Sequence, residues 1–204
     1  MNFLAHAILT PPPPGNDELL VGNITADWIK GRERRALSAG IQAGFTLHRR
    51  IDGFTDTHPQ VARCGGLLAE TWGRYSSILV DVIFDHLIAC DFERYADARL
   101  REFAARTYAT LHAHRVQLPQ MADYAICMMA ADDWLCAYAT TDGLRLTFTR
   151  MSARLQARGH DVELAPAVDT FLAQRAAFEE AFELFFPALQ SYARRCVSEE
   201  ALIA

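Results

Sequence analysis

No stretch of this 204-residue sequence approaches the roughly 20 consecutive apolar residues that a membrane-spanning helix needs. The N-terminus also lacks a basic segment leading into an apolar one with a cleavage site. The expectation is a cytoplasmic protein with no membrane span. There is no Cys-x-x-Cys pair. Cys64, Cys90, Cys127, Cys136 and Cys196 are scattered and odd in number, which indicates neither a zinc knuckle nor a disulfide framework and leaves them as reduced core residues. Runs of Val and Ile are scarce, and no glycine-rich phosphate loop, convincing strand pair or internal repeat is visible. No serine or cysteine lies in a motif that also holds a base, so a side-chain nucleophile has no setting. A formal net charge of -5 argues against a nucleic-acid binder, whose affinity depends on Lys and Arg neutralising phosphates.

What is present is an ordinary globular composition, 51% hydrophobic and 22% charged, with 11 Gly and 8 Pro. A chain of this length buries one substantial core, and a single domain over residues 1–204 is expected. Abundant Ala, Leu and Arg favour helix over sheet. The pattern predicts a short helix within Met1 to Leu9, a stiff connector at Pro11 to Gly15, and a helix from Asn16 or Asp17 to about Lys30. A central helix follows within Ser38 to Thr55, then a softer one from Arg63 to Gly73. Ser77 to Phe92 is the most apolar and is read as the buried helix. Ala96 to Arg115 is amphipathic, Met121 to Ala139 is helical, and Thr141 or Asp142 caps a helix through about Ala157. Pro166 opens a long last helix that Pro187 kinks or breaks. The fold class is all-α, a helical bundle.

The polar residues of the first ninety positions carry the chemistry. His48, Asp52 and Asp56 recur at four-residue steps, so on one helix His48 and Asp52 project from one face a turn apart, as two donors to one metal ion need. The same spacing joins Asn2 to His6, Asn23 to Asp27, and Asp81 to Asp85, which His86 follows. Asp and Asn near helix starts also serve as caps, so spacing alone leaves both roles open. Asp85 and His86 follow the apolar run Val82-Ile83-Phe84, and carboxylates on buried faces pair with cations or coordinate metal. Imidazole and carboxylate donors without a cysteine motif tilt the ion toward Mn²⁺ or Mg²⁺, with Fe²⁺ or Zn²⁺ as alternatives. The chemistry that suits such a set is hydrolysis, with Arg49 and Arg50 gripping phosphoryl oxygens.

Four blocks together resemble a known family: Asn2-Phe3-Leu4-Ala5-His6, Gly22-Asn23 with Ala26-Asp27, His48-Arg49-Arg50-Ile51-Asp52 with Thr55-Asp56, and Asp81-Val82 with Asp85-His86. They look like the acyl carrier protein phosphodiesterases, which remove the 4'-phosphopantetheine arm from holo acyl carrier protein. Trp134-Leu135, Tyr138, Met151-Ser152 and Phe186-Pro187 extend the likeness over nearly the whole chain. The resemblance implies a divergent HD-type metal-dependent phosphohydrolase fold, helical and dependent on Mn²⁺ or a similar divalent ion. It implies a metal set drawn from Asp27, His48, Asp52, Asp85 and His86. His6 and Asn23, with Asp81 and Asn2, stand in or behind that set, and Asp52, His86, Arg49 and Arg50 form the candidate catalytic group. The adjacent pair runs Asp85-His86, the reverse of the usual His-Asp order.

Lys30, Arg32, Arg34 and Arg35 form a basic segment directly after the Asp27 helix. It reads either as a solvated connector or as a docking patch for an acidic partner, and the resemblance supplies such a partner in the strongly acidic carrier protein. Two other readings stay open at this point: a phosphohydrolase of the same type acting on a nucleotide, and a helical binding module whose polar pairs are caps and buried networks.

Overall fold

The computed structural model describes residues 1–12 and 14–201, with side chains described through Ser198. The described residues form helices and connecting turns, without strands. In chain order the α-helices are α1 (Phe3–Ile8), α2 (Asp17–Thr25), α3 (Gly31–Arg35), α4 (Ala39–Thr57), α5 (Pro59–Trp72) and α6 (Ser76–Cys90), then α7 (Leu100–His114), α8 (Gln120–Ala131), α9 (Trp134–Ala137), α10 (Thr141–Gln156), α11 (Ala167–Ala173) and α12 (Arg175–Ala201). No helix among the described residues is long and apolar enough to cross a membrane.

Two apolar clusters make the core. The larger joins Leu4 and Ala5 of α1, Leu47 and Ile51 of α4, and Val82, Ile83 and Phe84 of α6 to the aromatic stripe Phe178, Phe182, Phe185 and Phe186 of α12. The smaller gathers Leu20, Val21 and Ile24 of α2 and Ile41 and Phe45 of α4 against Leu111 of α7 and Ile126 and Met129 of α8. The helices α1 and α4 contribute to both, Ala7 of α1 belonging to the smaller one. Polar groups on these two helices therefore lie at a seam between the clusters, where a hydrophilic site interrupts the least packing.

Local chemistry accounts for the ends of α4. The Ser38 side chain accepts a hydrogen bond from the Ile41 amide, and His58 leads into Pro59, which suits the first position of α5. Along its length α4 crosses α2 at backbone contact. A Cβ on Gly44 would run into the Leu19 carbonyl and sit 2.6 Å from Gly22 Cα and 2.7 Å from the Asn23 nitrogen, so only glycine lets the helices approach this closely.

The buried helix predicted over Ser77 to Phe92 is found as α6, with Val80, Val82, Ile83, Phe84 and Asp85 fully buried. Elsewhere tertiary contacts move the predicted boundaries. The basic segment, exposed along most of its length, forms the short helix α3. The helix expected over Met121 to Ala139 is broken at Asp133, whose φ of 44° ends α8; Tyr108 OH pins the break by donating to Asp133 Oδ1 at 3.0 Å and accepting from the Leu135 amide at 2.9 Å. Thr140, not Thr141 or Asp142, caps α10, its hydroxyl accepting from the Gly143 amide at 3.0 Å. The single last helix predicted from Pro166 divides at Gln174 into α11 and α12, whereas Pro187 stays inside α12. Phe185, Phe186 and Leu189, all fully buried, hold both sides of that proline in the core and outweigh the loss of one backbone hydrogen bond.

Candidate metal centre

Three helices carry the site, and one residue, Asn23 of α2, sets the orientation of both imidazoles in it. Its Nδ2 donates to the His6 carbonyl at 2.9 Å and to Thr10 Oγ1 at 2.8 Å, which leaves Oδ1 to accept from His6 Nδ1 at 2.8 Å. Its backbone carbonyl accepts from His48 Nδ1 at 2.7 Å. With each Nδ1 spent as a donor, each Nε2 is the nitrogen presented inward, the arrangement by which outer hydrogen bonds fix a metal-binding tautomer. The rings stack, with centroids 4.0 Å apart and planes 13° from parallel.

Both Nε2 atoms converge on Asp52. Its Oδ1 lies 3.2 Å from His6 Nε2 and its Oδ2 lies 3.0 Å from His48 Nε2. The ligand atoms of His6, His48 and Asp52 all fall within 4.8 Å of one another. Asp27, largely exposed at the C-terminal end of α2, adds Oδ1 at 3.5 Å from His48 Nε2. Despite these short distances, His48 Nε2 is buried without an aligned hydrogen bond. A buried nitrogen so placed, beside two carboxylates and a second imidazole, fits a divalent cation: the donors are the mixed nitrogen and oxygen set that Mn²⁺, Fe²⁺ and Zn²⁺ accept.

The electrostatics agree with a site built around positive charge. Burial disfavours charge on His48, yet Asp27 and Asp52 outweigh it and raise this imidazole to about 9. Burial and the neighbouring His48 push His6 down to about 4. Asp52, although burial opposes its charge, is held far below the usual carboxylate range by both imidazoles, and Asp27 is lowered by its contact with His48. Of the two rings it is His48, between the two carboxylates, that favours its charged form.

The remaining predicted residues fall in different places. Asp81 Oδ1 lies 3.2 Å from the Met1 amine, which is also 3.4 Å from Asp52 Oδ1, so this pair buttresses Asp52 from behind. Asn2 Nδ2 donates to Tyr138 OH at 3.1 Å, away from the cluster. Asp85 and His86, expected as ligands, do not join His6, His48 and Asp52 in the cluster. Asp85 Oδ2 accepts from the Leu4 amide at 2.7 Å and Oδ1 from the Ala5 amide at 3.1 Å, so both oxygens are spent anchoring the first turn of α1. Burial pushes its carboxyl up to about 7 against the pull of those amides. His86, one residue on and about 100° around the helix, donates from Nδ1 to the Tyr138 carbonyl at 2.7 Å and meets Phe171 edge-on. Asp85 serves the site indirectly, since the turn it holds carries His6.

Beside the cluster opens a cleft of about 400 Å³ lined by Asp27, His48 and Asp52 and by the cations Lys30, Arg34 and Arg49. Arg50 is not among its lining residues. Thr10, the Asn23 carbonyl and the Ala26 carbonyl, which accepts from Arg34 Nη2 at 2.9 Å, are parts of the site with no counterpart in the sequence pattern.

A family model described as acyl carrier protein phosphodiesterase matches residues 1–189. The chain belongs to that family. Curated relatives of the same name match most of its length. The protein from Photorhabdus laumondii is 31% identical over 140 residues, covering 68% of this chain and 69% of its own. That from Pectobacterium atrosepticum is 28% identical over 195 residues, 95% of this chain and 98% of its own, and that from Escherichia coli O157:H7 is 27% identical over 205 residues, covering 96% and 98%. No solved structure matches this acyl carrier protein phosphodiesterase family member.

Proposed function

We propose that this chain is a metal-dependent phosphodiesterase that hydrolyses the bond between 4'-phosphopantetheine and its serine in holo acyl carrier protein, giving apo carrier and free 4'-phosphopantetheine. Water adds across the phosphorus–oxygen bond, and the serine leaves as the alcohol. His6, His48 and Asp52 are the proposed metal ligands, with Asp27 at the open side and Asn23 behind both imidazoles. Mn²⁺ is the proposed ion, and Mg²⁺ or Fe²⁺ suit the same donors. Such an ion supplies Lewis acidity toward a phosphoryl oxygen and lowers the pKa of water. The observation that carries the reading is the convergence of His48 Nε2, His6 Nε2 and the Asp52 carboxylate within 4.8 Å of one another.

Asn23 fixes the two tautomers before substrate arrives, so no reorganisation is needed there. Asp52 stays ionised, and Arg49 offers a guanidinium at the cleft to a phosphodiester oxygen. The exposed Arg32 and Arg35 meet the acidic carrier, giving a net-negative enzyme a local attractive surface. The proposed setting is the cytoplasm, in fatty-acid biosynthesis, where such a carrier works. Incubating purified protein and Mn²⁺ with holo carrier is expected to lower the carrier's mass by that of the prosthetic group, and a chelator to prevent it. An unchanged mass with Mn²⁺, Mg²⁺ and Fe²⁺ alike would refute the reading.

A further inference from the structure

The basic segment after α2 divides by geometry into two parts. Lys30 and Arg34 line the cleft with Arg49, whereas Arg32 and Arg35 are exposed and do not. Arg34 is also held in place: its guanidinium carbon lies 4.3 Å over the ring of Phe45, which is buried in the smaller core, and its Nη2 donates to the Ala26 carbonyl at 2.9 Å. Its Nε is buried with no hydrogen-bond partner. A cation whose planar group is held by the fold at the wall of the cleft is pre-organised to meet an anion there.

We propose that Lys30, Arg34 and Arg49 form a phosphate-recognition subsite in this cleft, leaving Arg32 and Arg35 as the surface that meets the carrier. The assignment rests on the phosphodiesterase reading for its biological ligand, a phosphodiester, but its chemistry is that of any phosphate. Three cations outnumber the Asp27 and Asp52 carboxylates that face the same space. Lys30 contributes a mobile point charge and Arg34 a fixed fork, so the two are not interchangeable. Through the Ala26 carbonyl, Arg34 also braces the turn that bears Asp27, which makes it a positioning residue as well as a binding one.

Inorganic phosphate is the probe, titrated by calorimetry into the full chain with a chelator present, so that the result does not depend on turnover. Phosphate should bind the unaltered chain, and Arg34→Gln and Lys30→Gln should each weaken it roughly tenfold. Arg32→Gln and Arg35→Gln should change it less than about twofold. Arg34→Lys should recover only part of the loss, because the charge returns without the fork. Equal weakening in all four Gln variants, or no phosphate binding by the unaltered chain, overturns the subsite. Lys30→Gln keeps the test decisive if loss of the Phe45 contact unfolds Arg34→Gln. With holo carrier as substrate, Arg34→Gln should lower kcat, whereas Arg32→Gln with Arg35→Gln should raise KM and flatten its salt dependence. The expected phosphate pattern without carrier hydrolysis would remove the proposed function and leave the subsite standing; hydrolysis without the pattern would do the reverse.

Discussion

Replacing Gly44 by alanine tests the crossing on which the site depends. In a helix interior this exchange normally stabilises by about 1 kcal/mol, because alanine loses less backbone freedom than glycine. At the α2–α4 crossing the sign should reverse. The added Cβ would lie 2.6 Å from Gly22 Cα and 2.7 Å from the Asn23 nitrogen, against contact distances of roughly 3.5 Å, so the helices must part by about 1 Å. These atoms are backbone and cannot swing aside, which puts the overpacking cost near the upper end of the usual range, about 3 kcal/mol. The net change is about 2 kcal/mol of destabilisation, or a Tm lower by roughly 4 to 8 °C for a chain of this size. Parting the helices also draws the Asn23 carbonyl from His48 Nδ1, now 2.7 Å away, so Mn²⁺ affinity should fall roughly ten- to a hundredfold. The control is Gly66→Ala in α5, where a Cβ meets nothing within 4 Å and the Tm should rise by about 2 to 4 °C. Thermal unfolding followed by circular dichroism gives both values. A Gly44→Ala protein as stable as the parent, with unchanged Mn²⁺ binding by calorimetry, would refute the reasoning.

Other expected outcomes follow from the same geometry. His48→Ala and Asp52→Asn should abolish carrier hydrolysis while keeping the helical spectrum; wild-type turnover in either would remove that residue from the site. Because His48 is raised to about 9, its protonation stabilises the metal-free fold fully below pH 6.5, and that contribution, up to ~3 kcal/mol, is lost as pH rises through 9. The metal-free Tm should therefore decline across this window, and a flat profile would contradict the assignment. For the same reason Mn²⁺ binding near pH 7 should release about one proton per ion, measurable by calorimetry in buffers of different ionisation heat. Asp85→Ala leaves the Leu4 and Ala5 amides unsatisfied and should cost about 2 to 4 kcal/mol in urea unfolding, with the His6 turn loosened.

Much of this architecture is legible in the sequence. Helical periodicity gave the buried α6 and most of α4, since apolar spacing and caps are local signals. The His48–Asp52 pair, one turn apart on α4, was read from spacing and stands at the centre of the cluster. Asp85 and His86 show what spacing leaves open. A carboxylate in an apolar helix signals that something must satisfy it, but the sequence does not say whether the partner is a cation or two backbone amides. The break at Asp133 was hidden for a similar reason, because its fixing partner, Tyr108, is distant in the chain.

Helicity, imidazoles and carboxylates at one-turn spacing, and a basic segment after the Asp27 helix are all written in the order of the residues. These are properties of neighbours along the backbone, set by propensity and periodicity. That His6 joins His48 and Asp52, that Asp85 holds an amide pair, and that Arg34 lines the cleft follow from the packing of helices distant in the chain. Each of those outcomes depends on two helices meeting at a particular depth, and at the α2–α4 crossing that depth is set by two facing glycines, Gly22 and Gly44, neither of which could carry a Cβ.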